Sequence, residues 1–296
     1  MWSRMGSLIW RVSAWVVSPP GRWGESNCSN RRRSEMKKGI CLGSLPGESL
    51  EAKFRLAKDA GFHGVEIGTL TNDEDRRRYK EIADSLGMEI HSIMNSKHWA
   101  KPLSDPDPKV REESAQGMID SIDTAAVVGA DTVLLVPAVV TEEVTYEEAY
   151  ERSQAEIRKL IGHAQERGVY IAVENVWNKF LLSPIEFARY IDEFESDYVV
   201  AYFDVGNIVL YGYPQHWIRT LGRRIKKVHV KGFHANKRQF TWLLEGTINW
   251  KAVMEAFKEI EYDGYLTAEL PVDPSDPEGR VRMISEDLDK IISGRA

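Results

Sequence analysis

Eight short apolar segments alternate with eight longer amphipathic segments between residue 36 and the end of this 296-residue chain. The apolar segments have the length and composition of strands that are buried on both faces. The amphipathic segments carry apolar residues at helical spacing, and several are followed by glycine, which favours the end of a helix. One strand–helix unit, repeated eight times without a break, predicts a closed parallel (β/α)8 TIM barrel that forms a single domain over residues 36–296.

An open, doubly wound sheet is the alternative architecture for such an alternation. That fold calls for a glycine-rich GxGxxG turn after the first strand. The segment in that place runs from Gly43 to Gly47 with the sequence GSLPG, which lacks the pattern, so the closed barrel is favoured. The predicted strands are residues 39–42, 64–67, 88–93, 132–136, 169–173, 199–203, 225–230 and 265–268.

Residues 1–35 do not fit this repeat. They are rich in Trp, Arg and Ser, and Arg11 interrupts their apolar stretch, which argues against a signal peptide. We expect an extension that is disordered or that reflects a start assigned too early, with Met36 as the working start. No apolar run in the sequence reaches the roughly 18–20 residues that span a bilayer. We therefore expect no membrane partner. Cys28 and Cys41 form no CxxC pair and imply no disulfide framework, so we expect a reducing, cytoplasmic location.

The chain is acidic, with a formal net charge of −6. Proteins that bind nucleic acid do so through clustered Lys and Arg, so this charge argues against a nucleic-acid partner. It leaves open a small anionic substrate, because such a substrate needs only one or two nearby cations.

The fifth to eighth predicted strands each end with a side chain that can bind a metal ion. These are Glu174, Asp204, His229 and Glu269. In a (β/α)8 barrel the carboxyl ends of the strands meet at one mouth, where active sites lie. Each side chain has apolar neighbours, where an unpaired charge is costly, and one shared divalent cation would offset that cost. Three carboxylates and one imidazole favour Mn²⁺, with Mg²⁺, Co²⁺, Fe²⁺ or Zn²⁺ as alternatives.

Such a centre is suited to proton transfer beside a carbonyl. With a divalent ion acting as a Lewis acid, a ketose can lose the proton next to its carbonyl to give an enediolate. Glu174 and Glu269 lie three strands apart around the barrel and could face each other across the substrate. We therefore predict that these two glutamates are the catalytic acid/base pair as well as metal ligands.

Four motifs in the chain also resemble a known family. They are the segments around Glu174 (VEN), Asp204 (FDVGN), His229 (KVHVK) and Glu269 (AEL). Together they are similar to the sugar phosphate isomerase/epimerase family of xylose isomerase-like TIM barrels, and within it to the ketose 3-epimerases, over about residues 36–292. The resemblance implies that the matching Glu, Asp, His and Glu bind a Mn²⁺-like ion and that the two Glu transfer the proton. It also implies a small-molecule sugar or sugar phosphate as substrate and a possible homo-oligomer.

Five further residues are predicted to bind substrate. Glu66 ends the second strand, and His91 lies on the third. Trp177 follows Glu174 and could stack on a sugar, although packing within its loop is equally consistent. Where the ketose 3-epimerases typically carry a His, this chain has Asn207. Where they carry an Arg, the local cations here are Lys231, Lys237 and Arg238. For Lys231, a salt bridge to a ligand carboxylate is an equal alternative.

Other activities on the same barrel remain open. A lyase that dehydrates a keto-inositol would use the same first proton removal. An endonuclease of the abasic-site type has a related fold, but it needs several metal ions, more His ligands and a basic groove. A non-catalytic binding protein would be expected to lack at least one of the four ligands, and all four are present.

Overall fold

Residues 36–296, which this computed structural model describes, contain eight parallel strands that close into a barrel, together with one antiparallel hairpin. The predicted extension over residues 1–35 lies outside the described residues. Each barrel strand pairs with the next one along the chain, and the last pairs with the first, as predicted for a (β/α)8 barrel. The strands are β1 Lys37–Cys41, β2 Gly64–Gly68, β3 Glu89–Met94, β4 Thr132–Leu135, β5 Tyr170–Glu174, β6 Val199–Asp204, β7 Ile225–Val230, β8 Gly232–His234, β9 Gln239–Thr241 and β10 Tyr265–Ala268.

The connections between successive barrel strands are helical. Helix α4 shows why the sequence folds this way, because it begins with a capping box in which Thr145 and Glu148 each bond the other's backbone, and it ends at Gly168 with a left-handed φ of 66°. The helices are α1 Leu50–Asp59, α2 Asp73–Leu86, α3 Pro108–Val128, α4 Tyr146–Arg167, α5 Pro184–Asp192, α6 Val205–Ile208, α7 Pro214–Leu221, α8 Trp250–Glu259 and α9 Pro277–Ile292. None of these helices combines the length and apolar character needed to cross a membrane.

The barrel strands pack apolar residues on both faces. Val133, Val173 and Phe203 belong to a large core shared with the helices. Their strand neighbours, including Leu134 and Tyr202, form a small separate cluster inside the barrel. Polar groups at the mouth are therefore held by strands whose two faces are both fixed by packing.

The connection between β7 and α8 contains a short hairpin, which the sequence pattern does not predict. Strands β8 and β9 pair antiparallel immediately after β7. Gly232 is required at its base, because a Cβ there would lie 1.9 Å from the carbonyl oxygen of Trp242. Each strand has three residues, too few to show an alternating pattern in the sequence. This hairpin forms part of the wall of the site described below.

Candidate metal centre and active site

The four predicted ligands converge at one mouth of the barrel. Glu174 and Asp204 are the last residues of β5 and β6, His229 lies on β7, and Glu269 directly follows β10. One donor atom from each of the four lies within 4.8 Å of the others. The Nδ1 atom of His229 lies 3.1 Å from Glu174 Oε1 and 3.6 Å from Glu269 Oε2. The parallel register that brings the strand ends together thus builds a compact cluster of one nitrogen and three carboxylates.

This donor set fits a divalent cation. The Oδ2 atom of Asp204 is fully buried and makes no hydrogen bond of ordinary geometry within residues 36–296. Its nearest positive charge is the Lys231 ammonium at 2.8 Å, which also contacts Glu269. Hard oxygen donors of this kind, joined by one imidazole, suit Mn²⁺ or Mg²⁺.

The pKa values of the carboxyl groups in the cluster also favour a bound cation. Burial raises the pKa of Glu174 to about 7, and the nearby Glu269 and Asp204 carboxylates contribute to the rise. Burial also raises the pKa of Asp204, against the effect of Lys231. Although burial opposes it, His229 and Lys231 hold the pKa of Glu269 below its ordinary value. Glu174 and Asp204 therefore resist losing their protons, and a bound cation would favour their charged forms.

Glu66 on β2 holds His229 from the opposite side. Glu66 Oε1 lies 2.8 Å from His229 Nε2, while its other oxygen accepts hydrogen bonds from Ser92 at 2.6 Å and Tyr202 at 2.7 Å. Burial opposes a charge on His229, but its neighbours Tyr202 and Glu66 raise its pKa well above the ordinary value. A cation that replaces the Nδ1 proton would leave the Nε2–H bonded to Glu66. A carboxylate that orients a metal-binding His in this way is a common supporting partner.

We expect Glu66→Ala to weaken Mn²⁺ binding by about 10- to 100-fold, because His229 loses the partner that fixes its ring and its tautomer. Glu66→Gln keeps an acceptor for the Nε2–H, so it should recover most of that affinity. Titration calorimetry on both variants measures the difference. Equal Mn²⁺ affinity in the wild-type protein and Glu66→Ala would show that Glu66 plays no part in the centre.

His91 does not join the cluster. Its ring stacks on Tyr265 with 4.0 Å between ring centroids, and its Nε2 lies 3.3 Å from Thr267 Oγ1. Thr267 precedes Glu269 by two residues, so it lies one layer deeper in the barrel. Gly39 makes room for the ring, since a Cβ there would lie 2.7 Å from His91 Nε2. We therefore leave His91 out of the proposed substrate-binding set.

Asn207 is buried and acts on the position of Asp204. Its backbone N–H donates to Asp204 Oδ1 at 2.7 Å, and its side chain donates to the carbonyl of Asn175 at 3.0 Å. The side chain of Asn175 in turn bonds both backbone groups of Asp204, at 2.8 and 2.9 Å. The two asparagines thus fasten the ends of β5 and β6 together. This role of Asn175 was not predicted from the sequence, although its place directly after Glu174 was the available signal.

Trp177 and the hairpin form an aromatic wall beside the centre. Trp177 stacks on Phe240 of β9 with ring centroids 4.7 Å apart, and its indole N–H donates to the carbonyl of Asn207 at 3.0 Å. The ammonium of Lys231 lies 5.3 Å from the centre of the Phe240 ring. Phe240 was not predicted, because its position depends on the unrecognised hairpin.

A cavity of about 690 Å³ lies beside this cluster, and Glu269 is the candidate ligand that lines it. Glu66, Lys231 and Glu269 line the part of the cavity that adjoins the candidate metal site. Of the five predicted substrate-binding residues, Glu66 and Lys231 line the cavity. Trp177 does not line it but stacks on Phe240, which does. Asn207 and His91 do not line it.

A family model described as the xylose isomerase-like TIM barrel matches residues 54–291. The chain belongs to the xylose isomerase-like TIM barrel family. This confirms the resemblance noted in the sequence and the fold predicted from it.

Named relatives of this xylose isomerase-like barrel are also similar to it in sequence. The "Putative L-ribulose-5-phosphate 3-epimerase SgbU" of Haemophilus influenzae is 25% identical over 253 residues, which cover 79% of this chain and 88% of that protein. An inosose dehydratase of Lacticaseibacillus casei is 24% identical over 265 residues, which cover 78% of this chain and 86% of that protein. The comparisons thus group the chain with sugar epimerase-like and isomerase-like barrels.

Solved structures agree on the fold of this family member. A D-tagatose 3-epimerase-like protein superposes with a TM-score of 0.74 at 20% identity, covering 88% of this chain and all of that chain (100%). A D-allulose 3-epimerase from Methylomonas sp. in complex with D-allulose gives 0.72 at 18% identity, covering 89% and 98%. At these identities the likeness establishes the barrel architecture.

Proposed function

We propose that this protein is a metal-dependent sugar isomerase or epimerase that moves a proton next to the carbonyl of a ketose or related keto sugar. The observation that supports this most directly is that carboxylate oxygens of Glu174 and Glu269 lie 3.1 and 3.6 Å from His229 Nδ1, and that Glu269 also lines a cavity. Glu174, Asp204, His229 and Glu269 would hold one divalent ion, Mn²⁺ in our proposal. When bound, that ion would supply Lewis-acid polarisation of the substrate carbonyl.

The two glutamates would then divide the proton transfer. One carboxylate removes the proton from the carbon beside the carbonyl, and the other returns a proton on the opposite face, which inverts that carbon. Lys231, which contacts both Glu269 and Asp204, can donate to a substrate oxygen while keeping Glu269 in place. The apolar wall of the cavity limits water around the reacting carbon.

Hydrogen exchange over a panel of candidate substrates tests this proposal. We expect the Mn²⁺-loaded protein, mixed in D₂O with a series of ketoses and ring ketones, to replace the proton next to the carbonyl by deuterium and to produce the epimer. Proton NMR follows both events, and the metal-stripped protein is the control. Failure of every panel member to exchange, with metal content verified, would contradict the proposed function.

Dehydration is a second candidate, favoured by the match to inosose dehydratase. The first proton removal would be the same, and a hydroxyl one carbon further from the carbonyl would then leave as water. Lys231 could donate the proton that this leaving group needs. In the same NMR experiment an unsaturated product, instead of an epimer, would identify this activity.

Other aspects of the protein remain predictions. We propose a small-molecule sugar as its partner and expect no nucleic-acid partner. A homo-oligomer, a cytoplasmic location and the nature of residues 1–35 also stay as predicted from the sequence.

A further inference from the structure

The cavity extends to one side of the candidate metal centre. Its lining comes from the C-terminal ends of β1, β2, β3 and β10 and from the hairpin, and no described residue of β5 or β6 contributes to it. At about 690 Å³ it falls within the range of about 300–1,000 Å³ that accommodates drug-sized ligands, which are larger than a single sugar. A sugar whose carbonyl lies at the metal centre would leave the far part of this space unfilled.

The far part of the cavity is apolar. Beyond the carboxylates, hydrophobic side chains from several strand ends and from the hairpin line it, and the few polar side chains there are small hydroxyls. A second sugar ring would need more hydrogen-bonding partners than these hydroxyls provide. The apolar lining residues include Leu42, Met94, Phe240, Trp242, Leu270 and Pro271.

Each of the two aromatic side chains in this wall packs against a neighbouring side chain. Trp242 packs under the guanidinium of Arg280, whose Cζ lies 4.2 Å from the ring centre. Arg280 is itself held by Asp273 at 3.0 Å, so the support for Trp242 is rigid. Phe240 is fixed by its stack on Trp177. Such preorganised aromatic faces favour binding of a flat apolar group.

The cavity is poorly suited to a phosphate group. Of the described residues that line it, Lys231 alone carries a positive charge. That charge is already balanced by Asp204 and Glu269. A phosphate dianion would therefore meet carboxylates and apolar walls, where its desolvation has no compensation.

We propose that the substrate is a neutral ring ketone that carries a flat apolar substituent, such as a keto-glycoside with an aryl aglycone. A glycosidic bond blocks the anomeric carbon, so the carbonyl of such a substrate is on another ring carbon, and the C–H carbon beside that carbonyl is the one presented to Glu174 and Glu269. The aglycone occupies the space between Trp242, Phe240 and Gly43. This inference rests on the proposed function for the position of the carbonyl.

Binding measurements on the Mn²⁺-loaded full chain test the proposal. The probes are 4-nitrophenyl 3-keto-β-D-glucopyranoside, 3-ketoglucose and 3-ketoglucose 6-phosphate, each measured by titration calorimetry. We expect the aryl glycoside to bind about 20-fold more tightly than 3-ketoglucose, because the aryl ring adds buried apolar atoms. The phosphate should bind no more tightly than 3-ketoglucose.

Two variants locate the aryl group. Trp242→Ala removes one wall, while Gly43→Leu fills the space, since a Cβ at Gly43 would meet no atom within 4 Å and so adds no backbone clash. In each, the preference for the aryl glycoside should fall to about threefold or less. Trp99→Ala is the matched control, because Trp99 is 53% exposed and does not line the cavity, and its preference should equal that of the wild-type protein.

Several outcomes would overturn the inference: equal binding of the aryl glycoside and 3-ketoglucose, tightest binding of the phosphate, binding of none of the three, or an unchanged preference in both cavity variants. These results are separable from failure of the proposed function. Deuterium exchange on simple ketoses without an aryl preference would remove the inference alone. A preference for the aryl glycoside without deuterium exchange on any ketone would contradict the proposed proton transfer and leave the inference about the aryl group intact.

Discussion

Glu174→Gln and Glu269→Gln should each reduce the rate of epimerisation by at least about 10³-fold. Each substitution removes one of the two carboxylates that exchange the proton, and a positioned acid/base group contributes about 10²–10⁴-fold. Each also replaces a charged metal ligand by a weaker neutral one. The rate of epimer formation by the purified, Mn²⁺-saturated variants is the measurement.

The two variants should differ in which epimer still exchanges with solvent. If each glutamate serves one face of the substrate, Glu174→Gln should still exchange the proton that faces Glu269, and Glu269→Gln the proton that faces Glu174. Incubation of each separate epimer in D₂O distinguishes these cases. Glu166→Gln, at an exposed position on α4, is the control and should behave as the wild-type protein. Loss of exchange from both epimers in one variant only would show that a single glutamate carries both steps.

Removal of the divalent ion should stop the reaction and lower the thermal stability together. Without a cation, three carboxylates share one largely buried site, with Lys231 and His229 as their positive neighbours. An ion present at about 1,000 times its dissociation constant stabilises the folded state by about 4 kcal/mol. For a domain of this size that corresponds to an increase in Tm of about 10 °C.

Calorimetry and the exchange assay, run on the same chelator-treated sample before and after Mn²⁺ addition, check both effects. His229→Ala is the informative control. It retains the three carboxylates but loses the nitrogen donor, so added Mn²⁺ should raise its Tm far less. A Tm that Mn²⁺ leaves unchanged in the wild-type protein, together with no heat of binding, would contradict the metal centre.

The barrel and the four candidate ligands could be predicted because both depend on local patterns. The strands are buried on both faces, so each reads as a short apolar segment, and a polar residue at its end stands out. Glu174 and Asp204 were found in this way. The parallel topology then brings such ends to one mouth whatever the details of packing.

Other residues were not predicted correctly from the sequence, because their roles depend on how deep they lie in the barrel and on contacts between distant parts of the chain. His91 looked like a mouth residue, but strand periodicity gives the face of a side chain and not its layer in the barrel. A shift in pairing between Val65 and Glu66, where β2 meets β3, adds to this uncertainty. Phe240 and Trp242 depend on a hairpin that is too short to leave a pattern. Their positions depend on the close contact between the backbones of Gly232 and Trp242, which the sequence does not show.

Lys231 lies between Asp204 and Glu269 with its ammonium nearly removed from solvent. A newly synthesised chain therefore has an internal counterion for this pair of carboxylates before it meets any metal. Under the proposed metal dependence, folding of the barrel would not wait for the supply of the cation, and loading would follow as a separate event. The fraction of active protein in a cell would then track the availability of the ion, while the amount of folded protein would not.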